Sequence, residues 1–257
     1  MTKKIAVSTN KGGVLKTSIV TNLAGVLSSK GKVLIIDMDN QGNVALSFGV
    51  NPDLLDVSIY DVLVKGLNYH GAIINVHDNI DILPANDEMA FFEFDILTNI
   101  NDYPKPFDLL KMGLKGIEQN YDYIIIDTPP NMGLVHGNVM CFSSDVLIPF
   151  QPENYSMRSL VKILKSINQF KNEHNPYLNV LGIVGTLVDT RTNLHSQTLQ
   201  ECRKFCLENE LKMFDTVIPK SIRFASSIAY EGVPATLSDK NNELVQSYFN
   251  LEGEIFT

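Results

Sequence analysis

One octapeptide constrains the whole chain: Lys11-Gly12-Gly13-Val14-Leu15-Lys16-Thr17-Ser18. An apolar run, Ile5 to Val7, precedes it, and a helix-like run, Ile19 to Leu27, follows. Strand, glycine-bearing loop, helix is the arrangement in which main-chain N–H groups cradle a phosphate. Glycine has no Cβ, so at Gly12 and Gly13 the backbone can approach phosphate oxygens closely. The following helix turns its positive dipole end and free N–H groups toward the same anion. Lys16 can reach the outer phosphates, and the Thr17 hydroxyl can ligate Mg2+. The strict pattern G-x-x-x-x-G-K-[ST] is not met, because Asn10 and Leu15 stand where its glycines would be. Where such a loop needs positive φ, leucine is strained by roughly 1–2 kcal/mol. An ordinary Gly-Gly connection before a helix is the competing reading, and carboxylates further along the chain weigh against it.

Lys32 to Asp37 is a continuous apolar, β-branched run ending in an acid, as expected of a strand covered on both faces. It opens onto Asp37-Met38-Asp39-Asn40-Gln41-Gly42-Asn43. Ligands of open α/β sheets bind at the carboxyl ends of strands. Two acids one residue apart at such an end can face one metal and water site. Tyr121 to Asp127 is the clearest strand of the chain, and it runs into Thr128-Pro129-Pro130. Asp127 then supplies the hard oxygen that Mg2+ requires, and the two prolines stiffen the turn.

Strands at Ile5–Thr9, Lys32–Asp37, Ile80–Pro84, Tyr121–Asp127, Asp145–Phe150, Val180–Val188 and Met213–Ile218 alternate with helical segments. The helices are expected over Lys16–Ser29, Ser58–Lys65, Asp87–Leu97, Phe107–Gln119, Gly133–Cys141, Tyr155–Glu173, Ser196–Glu208 and Glu243–Phe249. That alternation predicts an α/β fold: a doubly wound, mostly parallel sheet with helices on both faces, as a single domain over residues 1–257.

The loop Lys11-Gly12-Gly13-x-x-Lys16-Thr17 resembles the deviant Walker A loop of the ParA/Soj/MinD ATPases, K-G-G-x-G-K-[ST]. The Asp37 segment is similar to their D-x-D-P-Q-G-N, with Asn40 in place of proline, and Ile124 to Pro130 is similar to their hhhhD-x-P-P. The resemblance implies ATP and Mg2+ as cofactors, with nucleotide contacts from Lys11 to Ser18, including Val14 and Leu15, and from Pro219. It implies catalytic roles for Lys11, Lys16 and Asp39. Lys11 would reach a partner subunit's phosphates across a nucleotide-sandwich homodimer, and Asp39 would position the attacking water. Thr17, Asp37 (through a water) and Asp127 would serve the metal.

Two further segments, Val188 to Leu194 and Ile218 to Arg223, resemble the D-x-R-T-N-L and I-P-x-x-[VI]-R segments of Soj-like proteins. They imply nonspecific DNA contacts by Arg191 and Arg223, with Lys220 as a weaker candidate. A surface salt bridge is the plain alternative for each arginine. The function so implied is DNA partition: ATP-driven dimerisation, DNA binding, and release when a ParB-like centromere-binding partner stimulates hydrolysis. The protein would be cytoplasmic, and nucleoid-associated when ATP-bound.

Composition narrows the rivals. The 257 residues are 44% hydrophobic and 19% charged, enough for a sizeable core. No apolar run approaches the roughly 18 residues of a membrane span. Met1 to Lys4 leads straight into a strand, so neither a signal peptide nor an N-terminal DNA-binding extension is expected. Cys141, Cys202 and Cys206 form no ligand cluster and read as reduced packing residues. The net charge is −8, yet Arg158 to Arg223 holds 10 Lys/Arg against 6 Asp/Glu, a local +4. A basic face on an acidic protein suits phosphate-backbone contact. A MinD-like membrane-cycling ATPase would need a basic amphipathic C-terminus. Asn241 to Thr257 instead carries three Glu and no Lys or Arg. A nucleotide-gated scaffold with little hydrolysis, blunted by Leu15, is the other alternative.

Overall fold

The computed structural model describes residues 2–189 and 191–256. Its eight strands are β1 (Lys3–Val7), β2 (Val33–Asp37), β3 (Ile74–His77), β4 (Ile80–Leu83), β5 (Tyr123–Asp127), β6 (Asp145–Phe150), β7 (Asn179–Val188) and β8 (Met213–Pro219). They form one sheet in the order β3-β4-β2-β5-β1-β6-β7-β8. Every neighbouring pair is parallel except β3 and β4. Eleven α-helices are described: α1 (Lys16–Leu27), α2 (Asn43–Leu46), α3 (Ile59–Val64), α4 (Phe92–Thr98), α5 (Leu109–Gly113), α6 (Leu134–Phe142), α7 (Ser156–Glu173), α8 (Asn193–Glu208), α9 (Arg223–Glu231), α10 (Ala235–Ser238) and α11 (Glu243–Phe256).

Alternation along the strands divides the core in two. Ala6, Leu34, Ile36, Ile124 and Ile126 face α3 to α8. Ile5, Val7, Val33, Ile35 and Ile125 face α1, α2 and α9 to α11. Because both faces are covered, the central strands need apolar residues at successive positions, and β2 is buried at all five.

The structure departs from the periodicity reading in definite places. The half-buried edge strand β3 lacks an apolar run long enough to mark it. Phe107–Gln119 breaks after α5, where Gly116 takes φ 87°. Asp87–Leu97 begins as a 3-10 helix, Asp87–Phe91, before α4. The last helix extends well past Phe249 to Phe256. The periodicity reading left α9 and α10 unassigned.

A buried histidine joins three elements beneath the loop. His136 of α6 lies with Nδ1 3.4 Å from Ser8 Oγ and Nε2 3.2 Å from Ser166 Oγ. Burial drives its pKa down to about 4 from 6.5. The unfolded chain takes up this proton near 6.5, whereas the folded chain resists it until about 4. Stability should therefore fall as pH drops through that window, by up to about 3 kcal/mol. Chemical denaturation at pH 7 and pH 4.5 should show a smaller acid loss for His136→Gln than for wild type; equal losses would exclude His136 as the source.

Candidate functional site

Sheet register creates the site. β5 lies between β1 and β2, with Asp37 of β2 opposite Asp127 of β5 and Val7 of β1 opposite the same Asp127. The two carboxylates leave adjacent strands side by side, at the end where the loop after β1 begins. Asp37 is wholly buried; its Oδ1 accepts the Asp39 N–H at 3.0 Å and its Oδ2 the Val44 N–H at 3.1 Å. It thus shapes the turn that holds Asp39. Asp127 Oδ2 accepts from the Thr17 hydroxyl at 2.5 Å and Oδ1 from the Thr128 N–H at 3.1 Å. Burial, then the charge of Asp127, holds Asp37 well above the usual carboxylate range. Burial also pushes Asp127 up to about 7, against the hydrogen bond from Thr17. Two buried acids one strand apart make an electrostatic well for a cation.

The loop above them adopts the strained form that its sequence suggested. Leu15 has φ 70° and ψ 26°, and Gly13 φ 70°. Leu15 is partly buried and packs against the core that includes α1. A Cβ added at Gly12 or Gly13 would meet no protein atom within 4 Å. The fold does not crowd Gly12, so its bare backbone is available to a ligand. Lys16 is buried, with Nζ donating to the Lys11 carbonyl at 3.1 Å. Burial lowers its pKa, while Asp127 and Asp39 oppose that shift. A cleft of about 570 Å3 is lined by the loop from Gly12 to Ser18, by Asp39 to Gln41 and by Pro130. Its size and the presence of Lys16, Thr17 and Asp39 in its lining suit a small charged ligand.

The other sequence-nominated residues sit along the same edge of the sheet. Pro219 ends β8, three strands from β1, or about 14 Å at ordinary strand spacing; it does not line the cleft. The Lys220 N–H donates to the Val188 carbonyl at 3.2 Å, which ties the ends of β7 and β8. Arg191 follows β7 and Arg223 opens α9. Thr190, within the first of those segments, lies outside the described residues. Neither arginine is free. Asp189 takes Arg191 Nε at 2.9 Å and Nη2 at 2.8 Å. Asp239 takes Arg223 Nε at 3.0 Å, and Glu231 takes its Nη1 at 2.9 Å. Lys220 is exposed, with no ion pair to any described residue.

A family profile described as an AAA domain matches residues 2–180. The sporulation initiation inhibitor protein Soj of Bacillus subtilis is 34% identical over 99% of this chain and 98% of its own length. The chain belongs to the ParA/Soj family. The chromosome partitioning protein ParA of Myxococcus xanthus is 31% identical, over 98% of this chain and 87% of its own length. Among solved structures, a putative plasmid partition protein from Borrelia burgdorferi bound to AMPPNP superposes with a TM-score of 0.81 at 28% identity, over 100% of this chain and 98% of that one. Cobyrinic acid a,c-diamide synthase from Mycobacterium smegmatis with bound ATP analog and magnesium gives 0.85 at 28% identity, over 98% and 93%. The ParA/Soj fold is thus shared with proteins of different function.

Within the ParA/Soj frame, two features escaped the sequence reading. Lys11 Nζ is paired with Glu153 Oε2 at 2.8 Å. Glu153 follows β6, the strand next to β1, so only the strand order brings the two together. Ser159 of α7 donates to Asn10 Oδ1, which fastens the start of the loop. The C-terminal helix α11 buries Val245, Tyr248 and Leu251 against the sheet. Its Glu254 carboxylate accepts from the Asp215 and Thr216 N–H groups of β8, at 2.7 and 2.8 Å. Its apolar side is therefore committed to the core. No helix among the described residues is long and apolar enough to cross a membrane.

Proposed function

We propose that this ParA/Soj protein binds ATP with Mg2+, pairs through the bound nucleotide, holds DNA without sequence preference in that state, and lets go when a ParB-like partner stimulates hydrolysis. The observation that carries this reading is the convergence of Lys16, Thr17, Asp37, Asp39 and Asp127 beneath one open glycine loop. The donors suit magnesium: a hydroxyl and two carboxylates are hard oxygens, and this ion keeps several waters rather than demanding an all-protein cage. Thr17 and Asp127 would hold it, with Asp37 reaching it through a water. Bound there, magnesium would neutralise charge on the outer phosphates. The glycine-loop N–H groups and the α1 N-terminus bind the phosphate oxygens. Lys16 lies against the transferring group, and Asp39, less buried than Asp37, faces the cleft where a water attacks.

The Lys11–Glu153 pair holds the signature lysine on its own subunit. To serve a partner's phosphates, Lys11 must exchange that exposed carboxylate for a more concentrated anion. Lys11→Ala is therefore expected to lose nucleotide-dependent pairing, with dimer affinity at least about tenfold weaker. Sedimentation with a slowly hydrolysed ATP analogue checks this; an intact dimer would remove Lys11 from the interface. Turnover measured with and without DNA separates a hydrolysing switch from a scaffold.

The carboxylates on Arg191 and Arg223 set the terms of DNA contact. A phosphate must compete with Asp189, and with Glu231 and Asp239, for the same guanidinium forks. Arg223→Ala should weaken binding and lower the salt slope by about one, whereas E231Q/D239N should strengthen binding severalfold at low salt. Binding titrations with ADP, ATP and the analogue at several salt concentrations test both. Binding indifferent to nucleotide would defeat the switch, and an unchanged E231Q/D239N would show that these acids do not compete.

A further inference from the structure

An exposed apolar ladder runs along the outside of the molecule, on residues that do not line the cleft. Phe91, Phe94, Leu97 and Ile100 recur every third residue through the 3-10 helix Asp87–Phe91, α4 and the 3-10 turn Ile100–Asp102. They are 60%, 68%, 57% and 42% exposed. Successive residues at that spacing are neighbours on a helix surface, and Phe92 and Ile96 between them are already buried in the core. The ladder spans about 14–18 Å. It ends beside a largely apolar groove of about 600 Å3, walled by Leu63, Val64, Tyr103, Pro104, Leu109 and Met112. Contiguous apolar surface of this kind on a water-facing helix marks an interaction site.

The flanks identify the occupant. Residues 87–102 contain Asp87, Glu88, Glu93, Asp95 and Asp102, and no Lys, Arg or His, against one lysine, Lys105, in the lining of the groove. Glu88 is neutralised by Lys65 at 3.1 Å. Asp95 accepts the Tyr60 hydroxyl and Glu93 the Leu134 N–H, neither of which supplies a positive charge. Asp87 and Asp102 are exposed, with no ion pair to any described residue. A cationic amphipathic helix matches both properties, its apolar stripe on the ladder and groove and its Lys/Arg beside the acids.

We propose that the Phe91–Ile100 ladder and its adjoining groove form a docking surface for a basic amphipathic helix of about three turns, supplied by another protein. This assignment does not rest on the nucleotide chemistry. The surface is nevertheless wired to it. Glu93, on α4 between the ladder residues, receives the Leu134 N–H at 2.5 Å, at the start of the helix that follows Asp127-Thr128-Pro129-Pro130. A helix seated on α4 pulls or steadies that turn through one hydrogen bond.

The test uses nucleotide-free protein and three labelled synthetic peptides of sixteen residues: a leucine-striped helix with lysine flanks, the same stripe with glutamate flanks, and a scramble of the first. Fluorescence anisotropy should show saturable binding of the lysine-flanked peptide alone, weakening as salt rises. Phe94→Ser with Leu97→Ser should weaken it by about tenfold or more, and Asp87→Asn with Asp102→Asn should weaken it severalfold. These side chains are exposed, and matched melting curves establish that the variants fold. Absence of saturable binding would overturn the proposal, as would equal binding of all three peptides or binding unmoved by Phe94→Ser with Leu97→Ser. Concentration-dependent self-association of the nucleotide-free protein, abolished by that pair of changes, would instead make a second copy of this chain the occupant and also overturn it.

Discussion

Lys16→Ala is expected to lower ATP turnover by about 10^2–10^3-fold. Lys16 is buried at the first position of α1, and its ammonium is aimed by the Lys11 carbonyl at 3.1 Å. A charge held this way in a partly dehydrated cleft acts strongly on an oxygen developing negative charge, and needs no reorganisation when it does so. Alanine also removes a cation that offsets the buried Asp127 charge. Nucleotide binding should weaken together with the chemistry, because the lysine meets both ground and transition states. Phosphate release under saturating ATP and nucleotide titration separate these two effects. Wild-type turnover in the variant would eliminate Lys16 from the proposed mechanism.

Gly42→Ala should cost about 3 kcal/mol of folding stability. Gly42 sits between Asp39 and α2 with φ 60°, where an L-residue is strained by about 1–2 kcal/mol. An added Cβ would also lie 2.7 Å from Pro52 Cγ, 2.9 Å from Pro52 Cβ and 3.1 Å from the Ala85 carbonyl oxygen. A proline ring and a main-chain oxygen cannot yield as a flexible side chain can, so overpacking contributes a further 1–3 kcal/mol or about that. For a chain of this size the melting temperature should fall by about 6–12 °C. The Gly42 N–H also donates to the Asp39 carbonyl at 3.1 Å, so any shift of the turn moves the residue proposed to place water. Denaturant unfolding and turnover should therefore decline together. A melting temperature within a degree of wild type would show that the turn relaxes freely.

Much of the fold was legible because its signals are short-range. The central strands of a doubly covered parallel sheet are apolar runs, and Val33–Asp37 and Tyr123–Asp127 stood out for that reason. The amphipathic stripe of α7 marked that helix over nearly its true length. Weak elements were lost where tertiary packing, not periodicity, holds them. The edge strand β3 gains its order from pairing with β4, and α9 from contacts of Phe224 and Ser227 with neighbouring segments. Leu15 illustrates the middle ground. The motif position suggested a left-handed residue, and the backbone has φ 70°. Its packing against the second core emerges only from the tertiary structure.

By itself, the sequence determined the phosphate-type loop, its flanking strand and helix, and the acids that end two strands, since each is written in adjacent residues. Tertiary structure alone decided which distant groups meet. Register set Asp37 beside Asp127, strand order placed Glu153 on Lys11, and the return of the chain after α9 brought Asp239 to Arg223, which Glu231 at the far end of α9 also meets. Local patterning reports which residues are strand, helix or turn, and the neighbours of a strand end depend on pairings across about a hundred residues that no local pattern encodes.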